Sequence, residues 1–200
     1  WNMDPILLEQ AICDRMKQTG LKPKAILPVH LYGTPARMNE ICDIASRYGI
    51  PVVEDAAEAM GAVYNGRYCG TFGQYGIFSF NGNKMITTSG GGALLCHTEE
   101  EAQRVKFYAT QAREPFPWYQ HEQIGYNYRL SNVSAGIGRG QMRVVDNHIA
   151  RRRSIHRLYT ELLAGLPGIT VVEPKKSTIF LPNYWLTTIK VDSNETGFSA

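Results

Sequence analysis

The sequence predicts an α/β fold with a mixed, mostly parallel sheet flanked by helices. Two short apolar runs, AILPVHL (25–31) and IPVVEDA (50–56), have the composition of buried strands. The segment GTPARMNEICDIASRYG between them carries the signals of a helix. Strand, helix and strand within about 30 residues form a βαβ unit, which places both strands parallel in one sheet.

Composition narrows the class of protein. The 200 residues are 44% hydrophobic, so the chain is long enough to bury a core. Its 21 basic and 18 acidic residues are scattered, and the net charge of +3 argues against a nucleic-acid binder. The dense basic run at 151–153 is typical of a solvated helix face. Four widely spaced cysteines without a C-x-x-C pair predict neither a metal site nor a disulfide framework.

The helix of the βαβ unit is expected to begin at Pro35, with Thr34 as its N-cap, and to end before Gly49. Its apolar residues recur at steps of three and four, which places them on one face: Ile41, Ile44, Ala45 and Tyr48.

The next elements are read from turn and cap signals. Asn65-Gly66 between β-prone residues predicts a hairpin. The runs at 75–80 and 91–97 are strand-like and flank a loop that contains one lysine. Thr98 and Glu101 form a capping box that opens a further helix.

The last third of the chain predicts an ordered aromatic loop at 114–130, a helical stretch at 131–163 and strands at 169–174 and 184–191. We expect a domain boundary after Leu163, with 164–200 as the start of a second domain. Both ends look truncated, so we expect a fragment. Because no leader and no long apolar run is seen, a cytoplasmic protein without membrane contact is expected.

Four polar residues lie where ligands bind in open α/β sheets. His30, Asp55 and Ser79 each follow an apolar strand, and Lys84 lies five residues beyond Ser79. A lysine amine can condense with an aldehyde cofactor, a carboxylate can keep a ring nitrogen protonated, and a hydroxyl suits a phosphate. Taken singly, each residue has an ordinary structural explanation, so the set in this order carries the hypothesis.

Four motifs, in register, resemble the DegT/DnrJ/EryC1/StrS family of sugar aminotransferases: PVHLYG, VVEDAAEAMGA, FSFNGNKMITTSGGG and GYNYRLSNVSAGIG. The resemblance runs from residue 1 to about residue 163. It implies a fold-type-I aminotransferase with pyridoxal 5′-phosphate as cofactor. In that fold, 1–163 is a partial cofactor-binding large domain, and 164–200 begins the small C-terminal domain.

The resemblance also implies the residues of the site. Lys84 matches the lysine that holds the cofactor covalently and moves the proton. Asp55 matches the acid paired with the pyridine nitrogen, and Ser79 matches the phosphate-binding hydroxyl. Asn127 matches an asparagine that reaches the phosphate of the neighbouring subunit's cofactor, which implies a homodimer with shared sites.

Two further residues are expected near the cofactor, and two positions, Glu58 and Gly90, depart from the common family pattern. Glu58 stands where many members carry Gln or His near the phenolic oxygen, and His30 lies in the recurrent PVHLYG segment. Gly90 replaces a glutamate that is common in the family. These variants resemble the branch that acts on UDP-N-acetyl sugars.

The implied function is transfer of an amino group, with glutamate as expected donor, to a nucleotide-linked 4-keto-6-deoxy sugar for cell-surface glycan synthesis. The fragment alone is expected to be inactive. Three alternatives stay open: a keto-sugar dehydratase of the same family, which has histidine in place of the lysine, a non-catalytic regulatory module, and a nucleotide-binding domain that uses the glycine run at 90–92 for phosphate.

Overall fold

The computed structural model describes residues 1–174 and 178–198. The helices are α1 (Pro5–Thr19), α2 (Met38–Tyr48), α3 (Glu99–Ala109), α4 (Asn132–Met142), α5 (Val145–Leu163) and α6 (Ser193–Thr196). The strands are β1 (Val53–Asp55), β2 (Val63–Tyr64), β3 (Arg67–Tyr68), β4 (Tyr75–Ser79), β5 (Gly92–Cys96), β6 (Ile169–Val171), β7 (Phe180–Leu181) and β8 (Ile189–Val191). The predicted α/β class is confirmed.

The main sheet has the strand order β1-β4-β5, with β1 parallel to β4 and β4 antiparallel to β5. The predicted strand at 25–31 is extended chain that lies parallel to β1, through bridges from Ile26 to Val52 and from Val29 to Asp55. Pro28 has no N–H, but its carbonyl accepts a 2.9 Å hydrogen bond from the Asp55 N–H. The predicted βαβ unit is therefore present, and the sheet is mixed.

Helix α2 begins three residues later than predicted. The sequence pointed to Pro35 with Thr34 as cap, but the first helical residue is Met38. The Thr34 N–H instead donates to the Leu31 carbonyl and closes the 3-10 turn that precedes Thr34. The Ala36 N–H donates to Nδ1 of His30 at 3.0 Å, which draws this segment away from the helix. A tertiary contact therefore overrides the local cap signal.

The apolar face predicted for α2 is confirmed. Ile41, Ile44 and Ala45 are buried, and Tyr48 is packed against the same core with part of its ring exposed. Gly49 ends the helix in the left-handed conformation, with φ of 60°. The core under α2 also takes apolar side chains from α1, from the extended segment beside β1, and from β2: Ile12, Ile26 and Tyr64.

The predicted hairpin at Asn65-Gly66 is confirmed. Both residues have positive φ, 47° and 79°, as a type I′ turn between β2 and β3 requires. Strand β7, which the sequence analysis missed, pairs with the other edge of β2. Because β7 lies beyond Leu163, a strand of the expected second domain pairs with a strand of the expected first domain. The domain boundary after Leu163 stays a prediction.

The helical stretch at 131–163 is divided into α4 and α5. The capping box at Thr98 and Glu101 is present as predicted and opens α3. The prediction of a wholly solvated basic run is wrong for Arg153, a half-buried residue whose Nε–H donates to the Pro182 carbonyl at 2.9 Å. Among the residues that the structure describes, no helix is long and apolar enough to cross a bilayer.

A buried carboxylate joins three segments below the sheet edge. Oε2 of Glu54 lies 3.0 Å from Nε2 of His30 and accepts a 2.7 Å bond from the Gly70 N–H. Oε1 accepts from the N–H groups of Phe72 and Gly73. Both Glu54 and His30 have no exposed surface. Because Nδ1 of His30 already accepts a backbone N–H, its proton lies on Nε2 and is donated to Glu54.

Burial alone would raise the pKa of Glu54, but the hydrogen bonds from His30, Gly73 and Gly70 together hold it below its ordinary value. A carboxylate whose pKa is lowered by folding stabilises the native state above its unfolded pKa. That contribution is lost as the pH falls through the folded pKa. The four donors therefore keep Glu54 ionised in the core.

Glu54→Gln is expected to lower the free energy of unfolding at pH 7 by about 2–6 kcal/mol, because the Gln NH2 group cannot accept hydrogen bonds and the buried N–H donors that face it lose their acceptor, at about 1–3 kcal/mol each. The unmodified protein should lose stability as the pH falls below about 4.3, the ordinary Glu pKa, and the variant should lose less over the same range. Urea unfolding between pH 3 and 7 measures both effects. Glu100→Gln, at an exposed position on α3, is the control; the same pH profile in both variants would contradict this account.

Gly33→Ala is expected to lower the free energy of unfolding by about 2–5 kcal/mol. Gly33 has φ of +83°, and an added Cβ would lie 1.8 Å from Oδ1 of Asn183. Gly20→Ala is the matched control, because Gly20 has φ of +69° and no neighbour within 4 Å. It should lose only the backbone strain, about 1–2 kcal/mol. Equal losses in urea unfolding would show that the contact with Asn183 has no effect.

Candidate active site

The lysine loop at 80–91 connects β4 and β5 and is anchored at several points. The Lys84 N–H donates to the Asn81 carbonyl at 3.1 Å, and the Thr88 N–H donates to the Phe80 carbonyl at 2.9 Å. The two residues after Lys84 are apolar and buried, with exposed fractions of 7% and 2%. The loop thus fixes the backbone of Lys84 next to two core residues.

The amine of Lys84 lies where three segments meet. Its Nζ is 3.5 Å from Oε1 of Glu58 and 4.3 Å from the centroid of the Trp185 ring. The other oxygen of Glu58 accepts a 2.7 Å hydrogen bond from the Tyr32 N–H. Tyr32 adopts the left-handed conformation, with φ of 56°, an uncommon state for a residue with a side chain. The structure thus brings Lys84 and Glu58 together, as the predicted site requires.

Asp55 ends β1 at the carboxyl edge of the sheet, and Glu58 lies in the turn that follows it. One carboxylate oxygen of Asp55 accepts the Ala57 N–H at 3.1 Å. Its other oxygen forms no hydrogen bond within residues 1–174 and 178–198. The half-buried Asp55 side chain therefore retains an acceptor for a ligand that carries a proton.

Ser79 ends β4, the parallel neighbour of β1, and so reaches the same edge. Its half-buried hydroxyl oxygen accepts the Asn81 N–H at 3.4 Å. In the described part of the chain the hydroxyl hydrogen has no acceptor, so it is available to a phosphate oxygen. An amine, a carboxylate and a hydroxyl at one edge form a donor set that fits pyridoxal 5′-phosphate.

His30 and Asn127 are not brought to the amine. Both ring nitrogens of His30 are engaged inside the core, by Ala36 and Glu54, and the ring has no exposed surface. Asn127 is exposed on an extended segment that bridges to Thr110. Their predicted contacts with a cofactor stay predictions.

A groove of about 470 Å³ runs from Lys84 along α5. Its charged or titratable lining residues are basic: Lys84, His148, Arg151 and Arg152. Arg151 and Arg152 take part in none of the ion pairs found among the described residues. No set of three or more His, Cys, Asp or Glu side chains gathers there, or elsewhere in those residues, in a way that could hold a metal ion.

Sequence reasoning missed Glu54, Asn183 and Trp185. Strand alternation was the available signal for Glu54, because neighbours in a strand point to opposite faces and Asp55 was already assigned to the site. For Asn183 and Trp185 the chain offers no local signal, since they contact the site only after residues 180–185 fold back onto it.

A profile of the DegT/DnrJ/EryC1/StrS aminotransferase family matches residues 1–199. The chain is 48% identical over 193 residues to the putative pyridoxal phosphate-dependent aminotransferase EpsN of Bacillus subtilis, covering 96% of the chain and 49% of that protein. It is 37% identical over 191 residues to GDP-perosamine synthase of Caulobacter vibrioides, with 96% and 49% covered. The chain spans about half the length of the curated relatives it matches.

Solved structures agree with the sequence relatives. An aminotransferase of this family from Brucella abortus has a TM-score of 0.86 at 29% identity, covering 96% of this chain and 50% of that one. DesV of S. venezuelae has a TM-score of 0.81 at 34% identity, with 95% and 48% covered. These neighbours confirm the predicted fold-type-I architecture and, for the family, pyridoxal 5′-phosphate as cofactor. The chain therefore belongs to the DegT/DnrJ/EryC1/StrS aminotransferase family.

Proposed function

We propose that the intact protein carrying this sequence is an aminotransferase that moves an amino group to a nucleotide-linked 4-keto-6-deoxy sugar. The observation that carries the proposal is the mostly buried amine of Lys84, held 3.5 Å from Glu58 in the turn after Asp55. Pyridoxal 5′-phosphate, when bound, supplies an aldehyde for covalent attachment and a ring that withdraws electrons.

Each residue of the site has a distinct task in this proposal. Lys84 would hold the cofactor through Nζ, and its amine would also move the proton between the substrate and cofactor carbons. The free oxygen of Asp55 holds the proton of the ring nitrogen, which keeps the ring an electron sink. The Ser79 hydroxyl donates to the phosphate, and Glu58 orients the amine.

An anionic acceptor fits the basic groove beside Lys84. Arg151 and Arg152 line it and have no acidic partner within residues 1–174 and 178–198, and guanidinium groups bind diphosphate oxygens through paired hydrogen bonds. The name of the Caulobacter relative likewise refers to a GDP-linked compound. Glutamate as donor, a role in cell-surface glycan synthesis and a cytoplasmic setting complete the proposal and come from the sequence resemblance and composition.

The alternative functions are less well supported. A dehydratase of the family is expected to have histidine at position 84, where this chain has lysine. A phosphate cradle in the glycine run is disfavoured because Gly92 belongs to β5, where an added Cβ would lie 2.3 Å from the Phe78 carbonyl oxygen. Close strand approach therefore explains Gly92. A regulatory module has no need of Lys84, Asp55 and Ser79 together.

Lys84→Ala is expected to abolish the absorption band at roughly 400–430 nm that covalently bound cofactor gives, because the bond to Nζ extends the conjugation of the ring. Spectra of the intact protein mixed with pyridoxal 5′-phosphate measure it. Lys190→Ala, at an exposed position, is the matched control and should keep the band.

Asp55→Ala separates attachment from catalysis in the same experiment. It should keep the band but lower turnover with glutamate and a nucleotide 4-keto sugar by at least about 100-fold, because the electron sink is weakened. Absence of the band in the unmodified protein would overturn the proposed function. Normal turnover of Asp55→Ala would overturn only the role of Asp55.

We further propose a homodimer in which Asn127 serves the partner's site. The exposed position of Asn127 supports this, since its side chain is free to reach another subunit. Large apolar side chains around it are also exposed, as expected for a surface that another chain covers: Trp118, Tyr119, Ile124, Tyr126, Tyr128 and Val133.

Mixed dimers test the shared site. Lys84→Ala subunits should be inactive, and Asn127→Ala subunits should bind the cofactor more weakly. After unfolding and refolding an equal mixture, about a quarter of all sites should contain both intact residues, because half of the dimers are hybrids with one complete site. Activity should therefore rise above the average of the two variants. Activity no higher than the average of the two variants would contradict the shared site.

A further inference from the structure

Trp185 contacts the lysine loop at two points. Its indole Nε1–H donates to the carbonyl of Asn83 at 2.7 Å, and its ring face lies 4.3 Å from Nζ of Lys84. The ring is buried, with only 6% of the residue exposed. One side chain thus holds both the backbone just before Lys84 and the charged end of that lysine.

The indole face of Trp185 attracts the Lys84 ammonium group and so favours one position of Nζ. An ammonium group is attracted to the face of an indole, and this attraction is larger where water is excluded. Glu58 provides a second contact at 3.5 Å. A free lysine side chain has four rotatable bonds, so two contacts restrict the positions that Nζ occupies.

Asn183 fixes the position of the indole relative to Glu58. Its Oδ1 accepts from the backbone N–H of Trp185 at 2.8 Å. Its Nδ2 donates to the carbonyls of Glu58 and Met60 at 2.8 and 2.9 Å. Its own N–H donates to the Gly33 carbonyl at 3.1 Å. With no exposed surface, Asn183 ties the segment of Trp185 to the turn of Glu58.

We propose that Trp185 is a positioning residue for the Lys84 amine, and that Asn183 sets its alignment. This inference rests on the proposed transaminase function. During each exchange of amino groups the lysine amine is released and must carry a proton at Nζ to one defined place. The ring face of Trp185 keeps Nζ at that place, with no covalent step of its own.

Trp185→Phe and Trp185→Leu form a matched pair, since both lose the indole N–H and keep an apolar side chain. Only Phe retains an aromatic face. In cofactor-free intact protein, Lys84 should react with acetic anhydride about 2- to 30-fold faster in Trp185→Leu than in Trp185→Phe. Peptide mass spectrometry measures this rate against exposed Lys190 in the same sample.

Turnover supplies the second measurement. Trp185→Leu should lower kcat about 10- to 100-fold with KM for the amino donor nearly unchanged, and Trp185→Phe should recover most of the loss. Equal labelling of Lys84 in the two variants would overturn the proposal. So would labelling of Lys84 as fast as that of Lys190 in the unmodified protein, a result that requires no variant.

The two proposals can fail separately. Labelling is measured without cofactor or substrate, so its outcome does not depend on whether the protein is a transaminase. Absence of the 400–430 nm band in the unmodified protein would reject the proposed function and leave the labelling result intact. A normal band with unchanged kcat in Trp185→Leu would reject only the role of Trp185.

Discussion

The ionised carboxylate of Glu54 is the constraint on which the site depends. A charge in the core is tolerated only when its oxygens are fully hydrogen-bonded, and here four N–H donors from two segments bind the carboxylate of a third. Those segments are the extended chain beside β1, β1 itself and the loop at 70–73. Because removal of any donor leaves a buried charge short of a partner, the three segments are held in one arrangement.

The candidate site is a consequence of that arrangement. Side chains alternate along a strand, so fixing Glu54 toward the core turns Asp55 toward the open edge. The parallel pairing of β1 with β4 then brings Ser79 to the same edge, and the lysine loop follows directly. The rigid elements carry the acid and the hydroxyl, whereas Lys84 sits on a loop that needs contacts from elsewhere.

Those contacts come from the far end of the chain. Residues 180–185 return to the first half through β7, and Asn183 and Trp185 then reach the turn of Glu58 and the lysine loop. Gly33 lies against Asn183 in the same region, which leaves no room for a side chain at position 33. Residues 180–185 therefore complete the surroundings of Lys84, although the residues proposed to take part in the chemistry all precede them.

Local sequence determined the elements whose signals lie within a few residues of one another. These include the βαβ unit, the Asn65-Gly66 hairpin, the capping box at Thr98, and the order of Asp55, Ser79 and Lys84 along strand ends. Tertiary structure alone decided the start of α2, the burial of His30 and the approach of Trp185 to Lys84. Each of these depends on a hydrogen bond or ring contact between residues distant in the chain, and such contacts leave no periodic or neighbouring signal in the sequence.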